Sequence, residues 1–119
     1  MMKKIAIIFR HAPHGSAKGR EGLDFALLSA TFEQEISLIF ADEGVLNLVP
    51  QQTPEAIGAK DFLAAFKALP LYDIECVYAC HQSLADYQLE ESALAIPLEV
   101  KTPAEIAELL TQADEVFVY

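Results

Sequence analysis

The chain has 119 residues, 53% of them apolar, with five glycines and six prolines, enough for one hydrophobic core and unlike a disordered or low-complexity chain. Eighteen acidic residues against eight basic ones give a formal net charge of −10. That balance argues against autonomous nucleic-acid binding, which depends on Lys and Arg neutralising phosphates.

No apolar run approaches the roughly 20 residues that span a bilayer. The start, Met1 to Phe9, has a short apolar core that ends in Arg10-His11 without a small-residue cleavage site. It is therefore expected to be a first buried strand, Lys4–Phe9, and not a signal peptide, which makes the protein cytoplasmic with no membrane partner. Five of the basic residues, Lys3, Lys4, Arg10, Lys18 and Arg20, lie by position 20. The rest of the chain is strongly acidic and suits a partner with basic patches.

Gly15, Gly19 and Gly22 fit neither the dinucleotide fingerprint nor a phosphate loop; they let a loop turn and a helix begin. That first helix, about Gly19 to Phe32, is apolar almost all the way round, with Leu23, Phe25, Ala26, Leu27, Leu28, Ala30 and Phe32. A surface helix shows one stripe, so a second subunit is expected over its outer face. A second strand follows at Glu35–Phe40. The apolar segment Asp42–Pro50 is either a helical turn that docks inward or a sticky loop for a partner.

Thr53 and Pro54 open a second helix that ends near Pro70, with Ile57, Phe62, Phe66 and Leu69 as its core stripe. Further strands are expected at Ile74–Cys80, Ala95–Val100 and Glu115–Tyr119. Thr102-Pro103-Ala104-Glu105 is a capping box for a last helix ending near Gln112. The strands are continuously apolar, as in sheets buried on both faces. Alternating strand and helix then predicts an α/β fold: one domain over residues 1–119, a three-layer α/β/α sandwich on a five-stranded, mainly parallel sheet.

Ligands of such sheets bind beyond the carboxyl ends of the strands. If strands 1 and 3 are neighbours, Arg10, His11, His14, Cys80 and His81 meet there. Cys80 closes the third strand just before His81-Gln82-Ser83-Leu84, where a helix N-terminus favours a thiolate. Its two readings are a small buried hydrophobe and a nucleophile that accepts and passes on a terminal sulfur. Cys76 lies four residues back, about 13 Å along a strand, too far for a disulfide or a shared metal. It is expected deeper in the strand and purely structural. Arg10-His11 is similar to the Arg-His-Gly start of histidine phosphatases, but Ala12 stands third. His11, His14, Cys80 and His81 supply metal-ligand types without diagnostic spacing, so neither metal nor cofactor is expected.

The stretch Ala12-Pro13-His14-Gly15-Ser16-Ala17-Lys18-Gly19-Arg20-Glu21-Gly22-Leu23-Asp24 resembles the signature of the TusC/DsrF family of sulfur-relay proteins. The likeness continues through Ala41-Asp42-Glu43-Gly44-Val45, Leu48-Val49-Pro50-Gln51-Gln52 and Leu71-Tyr72-Asp73-Ile74-Glu75. Glu43 departs from it by separating an Asp-Gly pair. The resemblance implies a DsrE-like fold and a non-catalytic or accessory subunit of a TusBCD-like complex. It further implies a dimer of heterotrimers with TusB-like and TusD-like subunits. Sulfur would arrive from a TusA-like protein and leave through a TusE-like one for 2-thiolation of the wobble uridine in tRNA. In that family the persulfide cysteine belongs to the TusD subunit, at the place Cys80 occupies here. Two alternatives are a persulfide carrier using Cys80 itself and a DsrF-like subunit in dissimilatory sulfur oxidation.

Overall fold

The computed structural model describes residues 3–11, 18–30, 34–49, 69–72, 74, 76–94 and 96–119. Five strands, β1 (Lys4–Phe9), β2 (Glu35–Phe40), β3 (Cys76–Cys80), β4 (Glu99–Lys101) and β5 (Glu115–Val118), form one sheet in the order β4-β3-β2-β1-β5. Every neighbouring pair is parallel. Among the described residues three α-helices accompany them: α1 (Lys18–Ala30), α2 (His81–Asp86) and α3 (Pro103–Gln112). Most of the predicted second helix, residues 53–68, lies outside the described residues; Leu69 belongs to a 3-10 helix, Leu69–Tyr72.

The first two strands begin and end where the apolar runs do. β3 starts later than expected because the Ile74 N–H donates to the Leu69 carbonyl at 3.2 Å and not to the sheet. β4 also starts late: Pro97 has no N–H for a ladder, although Ile96 beside it is buried.

Alternation along each strand sorts the core into two faces. Ile5, Ile7 and Phe9 of β1, Ile36, Leu38 and Phe40 of β2, and Val77 and Ala79 of β3 share the larger cluster with Leu23 and Ala26 of α1. Ala6, Ile8, Ile39 and Cys80 face the other way and pack with Ile106 of α3. The imbalance follows from the topology. The chain steps from β1 to β4 in one direction, so right-handed crossovers put those connections on one face. The return from β4 to β5 puts α3 on the other, the one helix there among the described residues.

The fully apolar look of α1 has an internal explanation in large part. Leu23 and Ala26 face the sheet, and the Phe25 ring lies 4.5 Å from the Phe117 ring of β5. Leu28 is the exposed apolar residue of that helix. Segment 42–48 resolves the other open question: it is a 3-10 helix, Asp42–Leu48, that docks inward, with Val45 and Leu48 wholly buried. Those two side chains are core and not contact surface.

The last helix begins as its sequence dictates. The Glu105 N–H donates to Thr102 Oγ1 at 3.2 Å, and the Thr102 N–H donates to Glu105 Oε1 at 2.9 Å. The backbone hydrogen bond from Thr102, then its hydroxyl, lowers the Glu105 carboxyl below its ordinary range, with Lys101 adding to the effect. Thr102→Ala should cost about 1 kcal/mol at neutral pH, read by thermal unfolding. Because the folded carboxyl titrates low, its contribution is complete above the unfolded pKa and fades as pH falls through the folded one. Glu105→Ala removes that carboxylate, so the gap between it and wild type should narrow in acid; a gap unchanged by acid would contradict the box.

Candidate functional site

The carboxyl ends of β1, β2 and β3 carry the chemistry-bearing residues, but not in the predicted arrangement. β2 lies between β1 and β3, so Arg10 and His11 do not meet Cys80 and His81 directly. The expected neighbourhood of strands 1 and 3 is thereby corrected. Sequential strands step sideways one at a time here, and the order reverses between β1 and β5. His14 lies outside the described residues.

Asp42 spans the gap at the tip of β2. Arg10 Nε donates to Asp42 Oδ2 at 2.7 Å on one side, and the Asp42 N–H donates to Ser83 Oγ at 2.8 Å on the other. Asp42 holds φ 52°, a left-handed conformation that Asp tolerates better than most residues. Both side chains of the ion pair are more than half exposed, so it fixes geometry more than it stabilises, at about 0–1 kcal/mol. Ser83, buried at 5% exposure, ties the start of α2 to this bridge.

Next to it, Asn47 Nδ2 donates to the carbonyls of His11 and Gly44, both at 2.9 Å. Asn47 is 3% exposed, a polar side chain staple between the β1 exit and the 3-10 helix. Sequence reasoning missed Asp42, Asn47 and Ser83 as a group. An Asn in the apolar run Val45-Leu46-Asn47-Leu48-Val49 was the available signal, since a buried amide needs partners.

Cys80 occupies the N-cap position of α2 in an extended conformation, with no side-chain capping bond. The residue is 7% exposed and belongs to the cluster of Ile8, Ile39, Ala41 and Ile106. His81, directly after it, is exposed. α2 has six residues, less than two turns at about 3.6 residues per turn. A residue so enclosed offers little surface for the approach of a protein-borne persulfide. Cys76 is the more accessible of the two: it is half-buried, and both cysteines are free. The expectation that Cys76 lies deeper is therefore reversed. The two thiols share one face, but α3 runs down from the tip of β4, so Ile106 covers Cys80 and leaves the start of β3 open.

Tyr78, between them on that face, is pushed up to about 12, first by burial, then by its hydrogen bond to Cys76 and the nearby charges of Glu99 and Glu35. The phenol stays a neutral donor throughout the physiological range. Among the described residues no group of three or more His, Cys, Asp or Glu side chains is placed to hold a metal ion. No helix among them is long and apolar enough to cross a membrane.

The sequence profile of the DsrE/DsrF-like family matches residues 3–119. The chain belongs to the DsrE/DsrF-like family. Within it, the chain is similar to the protein TusC homolog of Aliivibrio fischeri, with 35% identity over 118 residues, covering 99% of this chain and 100% of that one. The fold matches the crystal structure of the ychN protein from E. coli, with a TM-score of 0.80 at 23% identity, covering 99% of this chain and all of that one. A conserved protein of unknown function from Bacteroides thetaiotaomicron matches at a TM-score of 0.64 and 13% identity, over 97% of this chain and 94% of that one. These two show that the parallel α/β sheet and helices of this chain form a fold shared with other proteins.

Proposed function

We propose that the chain is the TusC-like subunit of a cytoplasmic sulfur-relay complex. It assembles with TusB-like and TusD-like subunits, and sulfur passes through the complex from a TusA-like to a TusE-like protein for 2-thiolation of tRNA wobble uridine. The observation that carries this reading is the end-to-end likeness to a TusC homolog, 35% identical over 118 residues. The enclosed position of Cys80, at 7% exposure, supports an accessory role. In sulfur transfer an acceptor thiolate attacks the terminal sulfur of a persulfide and the donor departs as thiolate, which needs no oxidant but does need open approach. The acidic surface, at −10 overall, favours protein partners over direct contact with tRNA.

Co-expression with the two sister subunits tests the assignment. The chain should purify with both as one complex, and a stable monomer separate from them would sink the reading. Intact-mass measurement of that complex, after exposure to a persulfide donor, tests the accessory role. No sulfur should be added to this chain, and Cys80→Ser should assemble and relay at the wild-type rate. Sulfur found on this chain in wild type and lost in Cys80→Ser would instead make Cys80 a carrier.

A further inference from the structure

The carboxyl end of the sheet beside Cys80 is held differently from the rest of it. Pairing of β2 with β3 runs from Ser37↔Cys76 to Phe40↔Ala79. One step further along both strands, Ala41 stands level with Cys80, and both belong to the apolar cluster that includes Ile106 of α3. On its other side Cys80 keeps a ladder partner, Lys101 of β4. The closure of Cys80 therefore depends on whether the tips of β2 and β3 stay together beyond the last pair of their ladder.

Among the described residues, the hydrogen bond that joins those tips runs through Asp42. This residue follows Ala41, Ser83 lies three residues after Cys80, and the Asp42 N–H donates to Ser83 Oγ at 2.8 Å. On its far side Asp42 Oδ2 accepts from Arg10 Nε at 2.7 Å. The join is built to come apart. Asp42 is held at φ 52°, a sparsely populated region that persists only while its surroundings keep a residue there. Both side chains of the ion pair are more than half exposed, so salt and competing charges reach them. The helix it anchors, α2, has six residues and is too short to hold its place without tertiary contacts.

We propose that the Arg10–Asp42–Ser83 bridge is a latch that keeps Cys80 closed. With the latch shut, Ala41 and the start of α2 are fixed against the end of β3. With it released, the tips of β2 and β3 part and the Cys80 thiol meets solvent. The movement is local, because the ladder up to Phe40 and Ala79 stays paired. The latch is a property of the chain by itself and does not depend on the subunit assignment, so either can fail while the other stands.

The test follows alkylation of Cys80 by N-ethylmaleimide, a neutral reagent, through the intact mass of the full chain carrying Cys76→Ser. Adding Ser83→Ala removes the acceptor and leaves the Asp42 N–H unpaired in the closed form, which should speed alkylation by about tenfold. Arg10→Ala keeps that bond and should speed it by about two- to threefold. Raising salt from about 0.1 M to about 1 M should give a similar gain in the parent chain and none in Arg10→Ala. Urea well below the unfolding transition should change these rates little, as expected of local opening. Alkylation of Ser83→Ala at the parent rate overturns the latch, and so does a parent rate that climbs with urea in step with global unfolding. Should Ser83→Ala fail to fold, the other two arms decide: equal rates with and without Arg10, or a parent rate indifferent to salt, overturn the proposal.

Discussion

Gly44→Ala should destabilise the protein by about 3 kcal/mol or more, the upper end for overpacking, because the clash is with backbone and not with a side chain that can rotate away. A Cβ at Gly44 would overlap the carbonyl oxygen of Phe9 and press on the Arg10 nitrogen, 3.0 Å away. That carbonyl is already engaged, accepting from the Ala41 N–H at 3.0 Å. To make room, either the tip of β1 or the whole 3-10 helix must move, and Val45 and Leu48 leave the core with it. For a domain of this size the midpoint of thermal unfolding should fall by roughly 10 °C. A melting temperature within about 2 °C of wild type would show that the close approach is not real. The damage would also reach the candidate site, since Asp42 and Asn47 are carried by the same 3-10 helix.

The second large effect belongs to Phe9 itself. Its ring is wholly buried and stacks on Phe40, with centroids 4.8 Å apart and planes 10° from parallel. Phe9→Ala should cost about 3–5 kcal/mol through lost burial and the cavity left behind. The same ring explains Gly22, where a Cβ would stand 2.7 Å from Phe9 Cε1 and 2.9 Å from Tyr119 Cγ. Gly22→Ala alone should therefore destabilise by about 1–3 kcal/mol despite the better helix propensity of Ala, worth about 1 kcal/mol. In a Phe9→Ala background the first of those clashes disappears and the methyl group enters the vacated space. The double variant should be at least about 1 kcal/mol more stable than the sum of the single effects predicts. Strict additivity in urea titrations would refute the packing described for this corner.

Much of this corner was written in the local sequence. Lys4–Phe9 and Glu35–Phe40 coincide with their apolar runs because β-branched and aromatic residues, buried on both faces, leave no other element for those segments. Thr102 to Glu105 carried both halves of a capping box within four residues, so the start of α3 needed no tertiary information. Starts of the third and fourth strands were less legible. Ile74 and Ile96 are buried and look like strand residues, yet their hydrogen bonding is decided by Leu69 and by Pro97.

The candidate site was legible only in its parts. Arg10, His11, Cys80 and His81 were visible as residue types at strand ends. Asp42, Asn47 and Ser83 were not visible as their connectors, because the bonds join positions up to 41 residues apart. Accessibility of the two thiols came out in reverse order for a related reason. Residues four apart on a strand share a face, and sequence does not tell which end of that face a helix covers.

What the sequence by itself determined is the set of elements, the two-sided burial of the sheet, the acidic surface and the family pattern. Each depends on local composition and spacing along the chain. Only the tertiary structure decided that β2 stands between β1 and β3, that Asp42 bridges them, and that Cys80 is closed while Cys76 is open. Strand order is set by long-range packing, and the return crossover from β4 to β5 places α3 over the end of β3 that holds Cys80.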